Sequence, residues 1–281
     1  MKPLCLLRSI PLLTAFLLML MGSAGWSEEL NLALRRRQDD KQVDGKATWN
    51  ADKTAIIIVD MWDGHHCKSA AARVVEMAPA MNRAVKGARE KGIFIIHAPS
   101  DCMDFYAGTP QRQRAIDAPL AKAPVTFRWN NLDSTHEKPF DPEVAENGCA
   151  CDSDEPCGPS FKAWKREIAA IEVAENDAVS DNGQEIYNLL RQRQIEHVIL
   201  MGVHTNVCVL GRPFGIRQLV YLGQDVVLCR DLTDSYHRRK KASHFIGLDE
   251  IVHHIEQYWC PTITSEALTG APPFRFAADL R

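Results

Sequence analysis

The sequence predicts an α/β fold, a three-layer sandwich in which a mostly parallel sheet of about six strands lies between layers of helices. Beyond residue 50, short apolar runs alternate with amphipathic helical segments, which is the pattern of parallel βαβ units. The runs are apolar without polar alternates, as in strands that are buried on both faces. A length of 281 residues with 46% hydrophobic content suits one large α/β domain or two small ones.

The predicted elements alternate along the chain, and Gly92 and Gly223 are placed to end two of the helices. The predicted strands cover residues 54–60, 93–97, 169–173, 198–203, 225–229 and a short segment at 261–265. The predicted helices cover residues 71–91, 182–194, 206–222 and 244–258. A long insertion after the second strand, at about residues 100–165, is rich in proline and lacks periodicity. We expect it to cover the carboxyl edge of the sheet, where open parallel sheets bind ligands.

The N-terminus predicts export. Residues 1–25 combine a positive start, an apolar run too short to span a bilayer comfortably, and small residues suited to signal peptidase. We expect a cleaved signal, a periplasmic or secreted location and no stable membrane span afterwards; a retained N-terminal anchor is the alternative. Residues 26–50 are charged and weakly periodic, which favours a solvated leader before a hydrolase domain at 51–281.

Composition narrows the classes of partner. The net charge of −3 offers no basic surface for nucleic acid or for an anionic membrane. A small-molecule substrate is therefore expected, and self-association into a homo-oligomer is left open.

The nine cysteines predict disulfides if the chain is exported, because an oxidising compartment favours disulfide formation. The group Cys149, Cys151 and Cys157 contains no Cys-x-x-Cys pair, so disulfides are favoured there over zinc. A second group offers ligand types in the run Asp63, His65, His66 and Cys67, but adjacent histidines do not readily face one ion. The sequence thus predicts no metal and no cofactor.

Reactive groups concentrate at two predicted strand ends. Asp60 ends the first strand, and Cys208 follows the strand at 198–203, at the start of the next predicted helix. A thiol at a helix start is expected to have a lowered pKa. The nearby carboxylate can serve as its general base, which predicts nucleophilic catalysis at this edge.

These segments resemble the isochorismatase-like cysteine hydrolases, a superfamily that includes nicotinamidases and N-carbamoylsarcosine amidase. The resemblance is carried by the runs 56–61 (IIIVDM) and 202–209 (GVHTNVCV). It implies a parallel sheet, Cys208 as nucleophile and Asp60 as its base. It also implies an oxyanion hole from the backbone N–H groups of His204 and Cys208, with a cis peptide between Val203 and His204.

The family also uses a lysine shortly after the third strand, and residues 171–180 contain none. Glu172 or Glu175 occupies the corresponding place. The insertion offers other cations that could reach the site, namely Lys162, Lys165 and Arg128.

The resulting hypothesis is an exported hydrolase that cleaves a small amide or related C–N bond through a thioester on Cys208. The alternatives are a non-catalytic binding or structural protein that retains the fold, and a hydrolase of a small ester or vinyl ether. Candidate pocket residues are Trp62, His97, Tyr106 and Asn206, although a structural role is favoured for His97. If Cys208 stays free, seven cysteines remain beyond the signal, and the strand residue Cys229 is expected to be the unpaired one.

Overall fold

The computed structural model describes residues 28–145, 148–149, 151 and 157–281. These residues form an eight-stranded sheet with helices packed against it. The predicted export signal lies outside these residues. The strands are β1 (Glu29–Gln38), β2 (Lys41–Asn50), β3 (Thr54–Val59), β4 (Phe94–Ala98), β5 (Ala178–Val179), β6 (His197–Val203), β7 (Asp225–Asp234) and β8 (Thr262–Ile263). The helices are α1 (Lys68–Glu90), α2 (Met103–Tyr106), α3 (Pro110–Ile116), α4 (Pro142–Ala145), α5 (Gly183–Gln192), α6 (Ile216–Tyr221), α7 (Ala242–Tyr258) and α8 (Glu266–Thr269).

The predicted α/β class and the mostly parallel sheet are confirmed, with eight strands in place of about six. The strand order is β2-β1-β8-β7-β6-β3-β4-β5, and the strands from β8 to β5 pair in parallel. All six residues of β3 are buried, because helices cover both faces of the central sheet. The neighbours β3 and β6 are in register at Ile57 and Leu200, so their carboxyl ends meet at one edge.

The segment expected to be a solvated leader forms a hairpin of β1 and β2. Its residues are mostly exposed, in keeping with their charge, but Leu30 and Leu32 alternate into the core. The hairpin extends the sheet because β1 pairs antiparallel with β8, and Arg35 donates to Glu256 on α7 at 2.6 Å. The buried leucines alternate with Asn31, but the high charge of the segment, including Arg35, Arg36 and Arg37, led to the expectation of a solvated leader.

Two predicted elements differ in the structure. The strand expected at 169–173 does not form; turns there bond Ile171 N–H to Ile168 O, and the strand beside β4 is the two-residue β5. The helix expected at 206–222 is broken into a π-helical segment at Thr205–Val209 and the later α6. A Gly-Arg-Pro-Phe-Gly run at 211–215 interrupts it, because proline lacks the N–H that a helix needs and glycine weakens one.

The insertion packs on the carboxyl edge of the sheet through the described part of its length. Asn130 N–H donates to Gly211 O at 2.7 Å, and Trp164 Nε1 donates to Ser100 O at 3.3 Å. These contacts join the insertion to the loops that follow β6 and β4. Among the described residues, no helix is both long and apolar enough to cross a membrane.

Candidate active site

Cys208 and Asp60 meet where β6 and β3 end. Asp60 directly follows β3 with φ of +48° and is fully buried, and Cys208 lies in the π-helical segment after β6 with 6% of its surface exposed. The Cys208 thiol donates a hydrogen bond to the Asp60 carboxyl group. The structure therefore brings together the two residues that the sequence placed on separate strand ends.

A tight backbone approach shapes the turn before Cys208. Gly202 has φ of +115°, and a Cβ atom there would lie 2.1 Å from the carbonyl oxygen of Val59 on β3. Only glycine fits at that distance. The Val203–His204 peptide is cis, and His204 O accepts from the N–H groups of Val207 and Val209 at 2.9 and 3.1 Å. The backbone N–H of His204 faces the sulfur of Cys208.

The cation of the site is Arg212. Its Nε donates to Asp60 Oδ2 at 3.1 Å, and its guanidinium also contacts the Cys208 sulfur. Arg212 N–H donates to Cys208 O at 3.0 Å, so one helical turn carries both residues on the same face. Trp129 from the insertion lies against the guanidinium, with 5.3 Å to the ring centroid.

Arg212 was not among the cations that the sequence suggested. Lys162 instead donates to Asp101 O at 2.5 Å, whereas Glu172 is exposed and pairs with Lys86, and Glu175 is exposed too. Of the described residues, Arg212 forms the ion pair with Asp60. The spacing of four residues after Cys208 could have revealed it, because positions i and i+4 are neighbours on a helical turn.

Burial dominates the electrostatics of the pair. It raises the pKa of Asp60, and Arg212 opposes that rise. Burial and the Asp60 charge together raise the pKa of Cys208 well above its usual range, again opposed by Arg212. The expectation of a lowered thiol pKa is therefore wrong. Cys208 sits in a five-residue π-helical segment rather than at the start of a long helix, so the helix dipole is too weak to offset desolvation.

Trp62 helps to hold the carboxyl group of Asp60. Its Nε1 donates to Ser100 O at 3.0 Å, and Trp164 Nε1 donates to the same oxygen at 3.3 Å. The two indoles stack with ring centroids 4.0 Å apart. Ser100 N–H then donates to Asp60 Oδ1 at 2.7 Å. The stacked tryptophans thereby hold the backbone of Ser100, whose N–H orients one carboxylate oxygen, while Arg212 binds the other.

His97, a candidate pocket residue, lies in a buried charge network within the sheet. Its Nδ1 is 2.6 Å from Glu167 Oε2 and its Nε2 is 3.1 Å from Asp177 Oδ2. Burial would lower the pKa of His97, but the two carboxylates outweigh it and raise the pKa to about 9. Both ring nitrogens are engaged in this network, which is a structural arrangement.

Tyr106 and Asn206 also have structural partners. The Tyr106 hydroxyl accepts from Glu167 N–H at 3.1 Å. The Asn206 amide donates to Val144 O and Tyr236 O at 3.2 and 2.8 Å, and its Oδ1 accepts from Tyr236 N–H at 2.9 Å. Asn206 borders a cavity of about 220 Å³ that the insertion helps to line. The polar atoms of Asn206 nevertheless bind the insertion and the loop after β7 to the π-helical segment that contains Cys208.

Asp234, which was not predicted from the sequence, supports the π-helical segment that contains Cys208. Asp234, at the end of β7, accepts from Arg73 Nε at 2.8 Å and lies 2.7 Å from His244 Nε2. Its backbone oxygen accepts from Thr205 Oγ1 at 2.9 Å. Burial lowers the pKa of His204 well below its usual range, so its ring is neutral beside this network.

The eight described cysteines are all unpaired, so the disulfides favoured by composition are not formed in this structure. Buried Cys229 is free like the other seven, so it is not set apart as the single unpaired residue, and its thiol donates to Asp231 Oδ1 at 3.4 Å. Four of the others lie together beside the start of α1: Cys67, Cys149, Cys151 and Cys157.

The parallel sheet, with an acid and a buried cysteine after the ends of two neighbouring strands, defines an α/β protein with a candidate site at the carboxyl edge of the sheet. The family model described as the isochorismatase domain matches residues 54–266, which is most of the chain. The chain therefore belongs to the isochorismatase family. No curated protein matches the chain.

Solved structures similar to the chain share little sequence with it. A cysteine hydrolase from Pseudomonas syringae pv. phaseolicola 1448A is 14% identical, with 79% of this chain and 93% of that one covered and a TM-score of 0.48. An isochorismatase family protein from Desulfovibrio vulgaris subsp. vulgaris str. Hildenborough is 17% identical, with 78% and 97% covered and a TM-score of 0.45. N-carbamoylsarcosine amidase from Thermoplasma acidophilum is 14% identical, with 76% and 97% covered and a TM-score of 0.40.

Proposed function

We propose that this family member cleaves a small amide or related C–N bond through a thioester on Cys208. The observation that carries the proposal is the buried contact of three groups: the Cys208 thiol, the Asp60 carboxyl group and the Arg212 guanidinium. A nucleophile with a base in hydrogen-bond contact, oriented by a third group, is the arrangement that covalent catalysis requires.

In the first half-reaction, the thiol proton of Cys208 passes to Asp60 as the sulfur bonds to the substrate carbonyl carbon. The carbonyl π electrons move to oxygen, and the N–H groups of His204 and Cys208 stabilise that oxyanion. The C–N bond then breaks, and the leaving nitrogen takes the proton from Asp60.

In the second half-reaction, Asp60 removes a proton from water, and the resulting hydroxide attacks the thioester carbon. The C–S bond breaks, and Asp60 returns the proton to the sulfur. The products are a carboxylic acid and an amine, and the enzyme is restored.

Arg212 supplies the positive charge that the family lysine would provide. Without it, burial would favour a neutral Asp60, which could not accept the thiol proton. The guanidinium contacts both the carboxylate and the sulfur, so it stabilises whichever of the two carries the negative charge. This role answers the main argument for a non-catalytic protein, which was the missing lysine.

The enclosure of the site favours a small substrate. Cys208 is 6% exposed, and the Arg212 side chain, 21% exposed, lies beneath Trp129 of the insertion. A peptide or polymer could not reach the sulfur without displacing this roof.

We also propose export through residues 1–25, on the sequence pattern alone. N-terminal sequencing of the protein secreted by an expressing cell tests this. A mature N-terminus near residue 26 supports export, and an intact Met1 in the cytosolic fraction contradicts it.

The hydrolase proposal is tested with a panel of small primary amides, N-carbamoyl compounds and matched esters. Amine release is followed by assay, and the acylated protein is trapped by acid quench and located by mass spectrometry. We expect release from at least one C–N substrate with the acyl group on Cys208, none with Cys208→Ser, and unchanged release with Cys260→Ser. Acylation by esters alone would support the ester-hydrolase alternative, and no adduct from any compound would support a non-catalytic protein.

A further inference from the structure

We infer that Cys67, Cys149, Cys151 and Cys157 form a structural site for one zinc ion. Their four Sγ atoms all lie within 4.8 Å of one another, although Cys67 is far from the other three in sequence. The site is separate from Cys208, and the inference does not depend on the proposed hydrolysis.

The sulfur separations suit a shared ion better than disulfides. Cys67 Sγ and Cys151 Sγ are 3.6 Å apart. Tetrahedral zinc with Zn–S bonds of about 2.3 Å places its sulfurs about 3.8 Å apart along each edge. A disulfide needs a separation of about 2.05 Å. A small contraction of the remaining distances would complete the tetrahedron.

The first turn of α1 provides a second, independent observation. Lys68 N–H donates to Cys157 Sγ at 3.3 Å, and the N–H groups of Ser69 and Ala70 face the sulfurs of Cys151 and Cys67. Three consecutive backbone donors are thus aimed at three of the four sulfurs. Metal-bound thiolates are strong acceptors with no proton to donate, so this arrangement matches the ligated form.

Charge balance points the same way. Four thiolates whose sulfurs lie within 4.8 Å of one another would repel each other without a compensating cation. A divalent ion removes this conflict, because it takes the place of the thiol protons when it binds.

The donor set selects the metal and the role. Four thiolates favour a soft or borderline ion such as Zn²⁺ over the hard ions Mg²⁺ and Ca²⁺. Because protein sulfurs fill all four positions, the site has no place for water or substrate and is structural rather than catalytic.

The site would fasten the insertion beside the active site. Cys67 precedes α1 at the end of the loop that begins with Asp60, whereas Cys149, Cys151 and Cys157 belong to the insertion. Tyr236 packs against the cluster, and its backbone holds the side chain of Asn206, two residues before Cys208. The ion would thereby connect the insertion, the loop that begins with Asp60 and the π-helical segment that contains Cys208.

Metal content is the direct test. The full mature chain, freed of any affinity tag, is purified without chelator from medium with zinc and analysed by elemental mass spectrometry. We expect one zinc per chain, released in step with titration of four thiols by a mercurial. Cys67→Ser and Cys151→Ser should fall below about one fifth of that content, since three sulfurs bind far more weakly. Cys260→Ser, which removes a buried cysteine outside the cluster, should retain one zinc.

Two measurements on the unaltered chain remain decisive if a variant fails to fold. Protein grown with cobalt should show sulfur-to-cobalt charge-transfer bands and the intense visible bands of a tetrahedral site. Alkylation of the chain without residues 1–25, in denaturant with chelator but without reductant, should label all eight of its cysteines. A chain with four unlabelled, reducible cysteines holds disulfides, and a chain with eight free thiols and no zinc holds neither; each result would overturn the inference.

Discussion

Cys208 and Cys67 occupy similar local positions and have different chemistry. Each follows a central parallel strand: Cys208 lies within the short π-helical segment after β6, and Cys67 is the residue that precedes α1, after β3. Cys208 faces one carboxylate and one guanidinium, whereas Cys67 faces three other sulfurs. The local position therefore does not decide whether a cysteine acts as nucleophile or ligand; the side chains brought to it by distant parts of the chain do.

The largest expected effect is on activity and zinc content, each of which a single substitution should remove without the other. Cys208→Ala should lower kcat/KM by about 10⁴-fold or more, because it removes the nucleophile. The same variant should retain one zinc per chain, whereas Cys151→Ser should lose zinc and keep its Cys208 thiol. Kinetics and elemental analysis on the same samples check this. A zinc-depleted Cys208→Ala would show that the two sites are not independent.

Arg212→Met should lower kcat/KM about 100-fold, within the range for loss of one electrostatic stabiliser. Its removal lets burial raise the pKa of Asp60 further, so the acidic limb of the pH–rate profile should shift to higher pH. Arg212→Lys should restore most of the rate and the original limb. An unshifted limb in Arg212→Met would refute the role given to the guanidinium.

Cys151→Ser should lower the free energy of unfolding by about 3 kcal/mol or more, because loss of a metal is one of the few mechanisms that exceed the usual effect of a single substitution. The effect should be matched by chelator treatment of the unaltered chain and should not add to it. Urea denaturation with and without chelator measures both. Equal destabilisation by Cys260→Ser would indicate ordinary packing loss rather than metal loss.

His97 gives a pH control that touches neither cysteine site. Its pKa of about 9 lies above the unfolded value near 6.5, so its charge stabilises the fold fully below about pH 6.5. That contribution should fade as pH rises through 9, by roughly 1–3 kcal/mol. Urea unfolding at several pH values checks this. His97→Gln should flatten the decline; an equally steep decline in the variant would assign it to other groups.

Much of the framework was predictable from local pattern. The unbroken apolar run of β3 predicted a strand buried on both faces, and alternation with helices predicted the parallel sheet. The strand at 169–173 was predicted wrongly, because a short apolar run carries no information about whether a neighbouring strand is available to pair with it. The β1–β2 hairpin was missed for the complementary reason, since its pairing with β8 stabilises a segment too charged to suggest burial.

The sequence by itself determined that Asp60 and Cys208 each follow the end of an apolar strand, because the pattern that predicts a strand is local. Only the tertiary structure decided their surroundings. The pKa of Cys208 depends on burial and on Asp60, and the cluster at Cys67 depends on Cys149, Cys151 and Cys157 lying beside it. Solvation and electrostatic interaction act through space, and that proximity is not contained in any single segment of the chain.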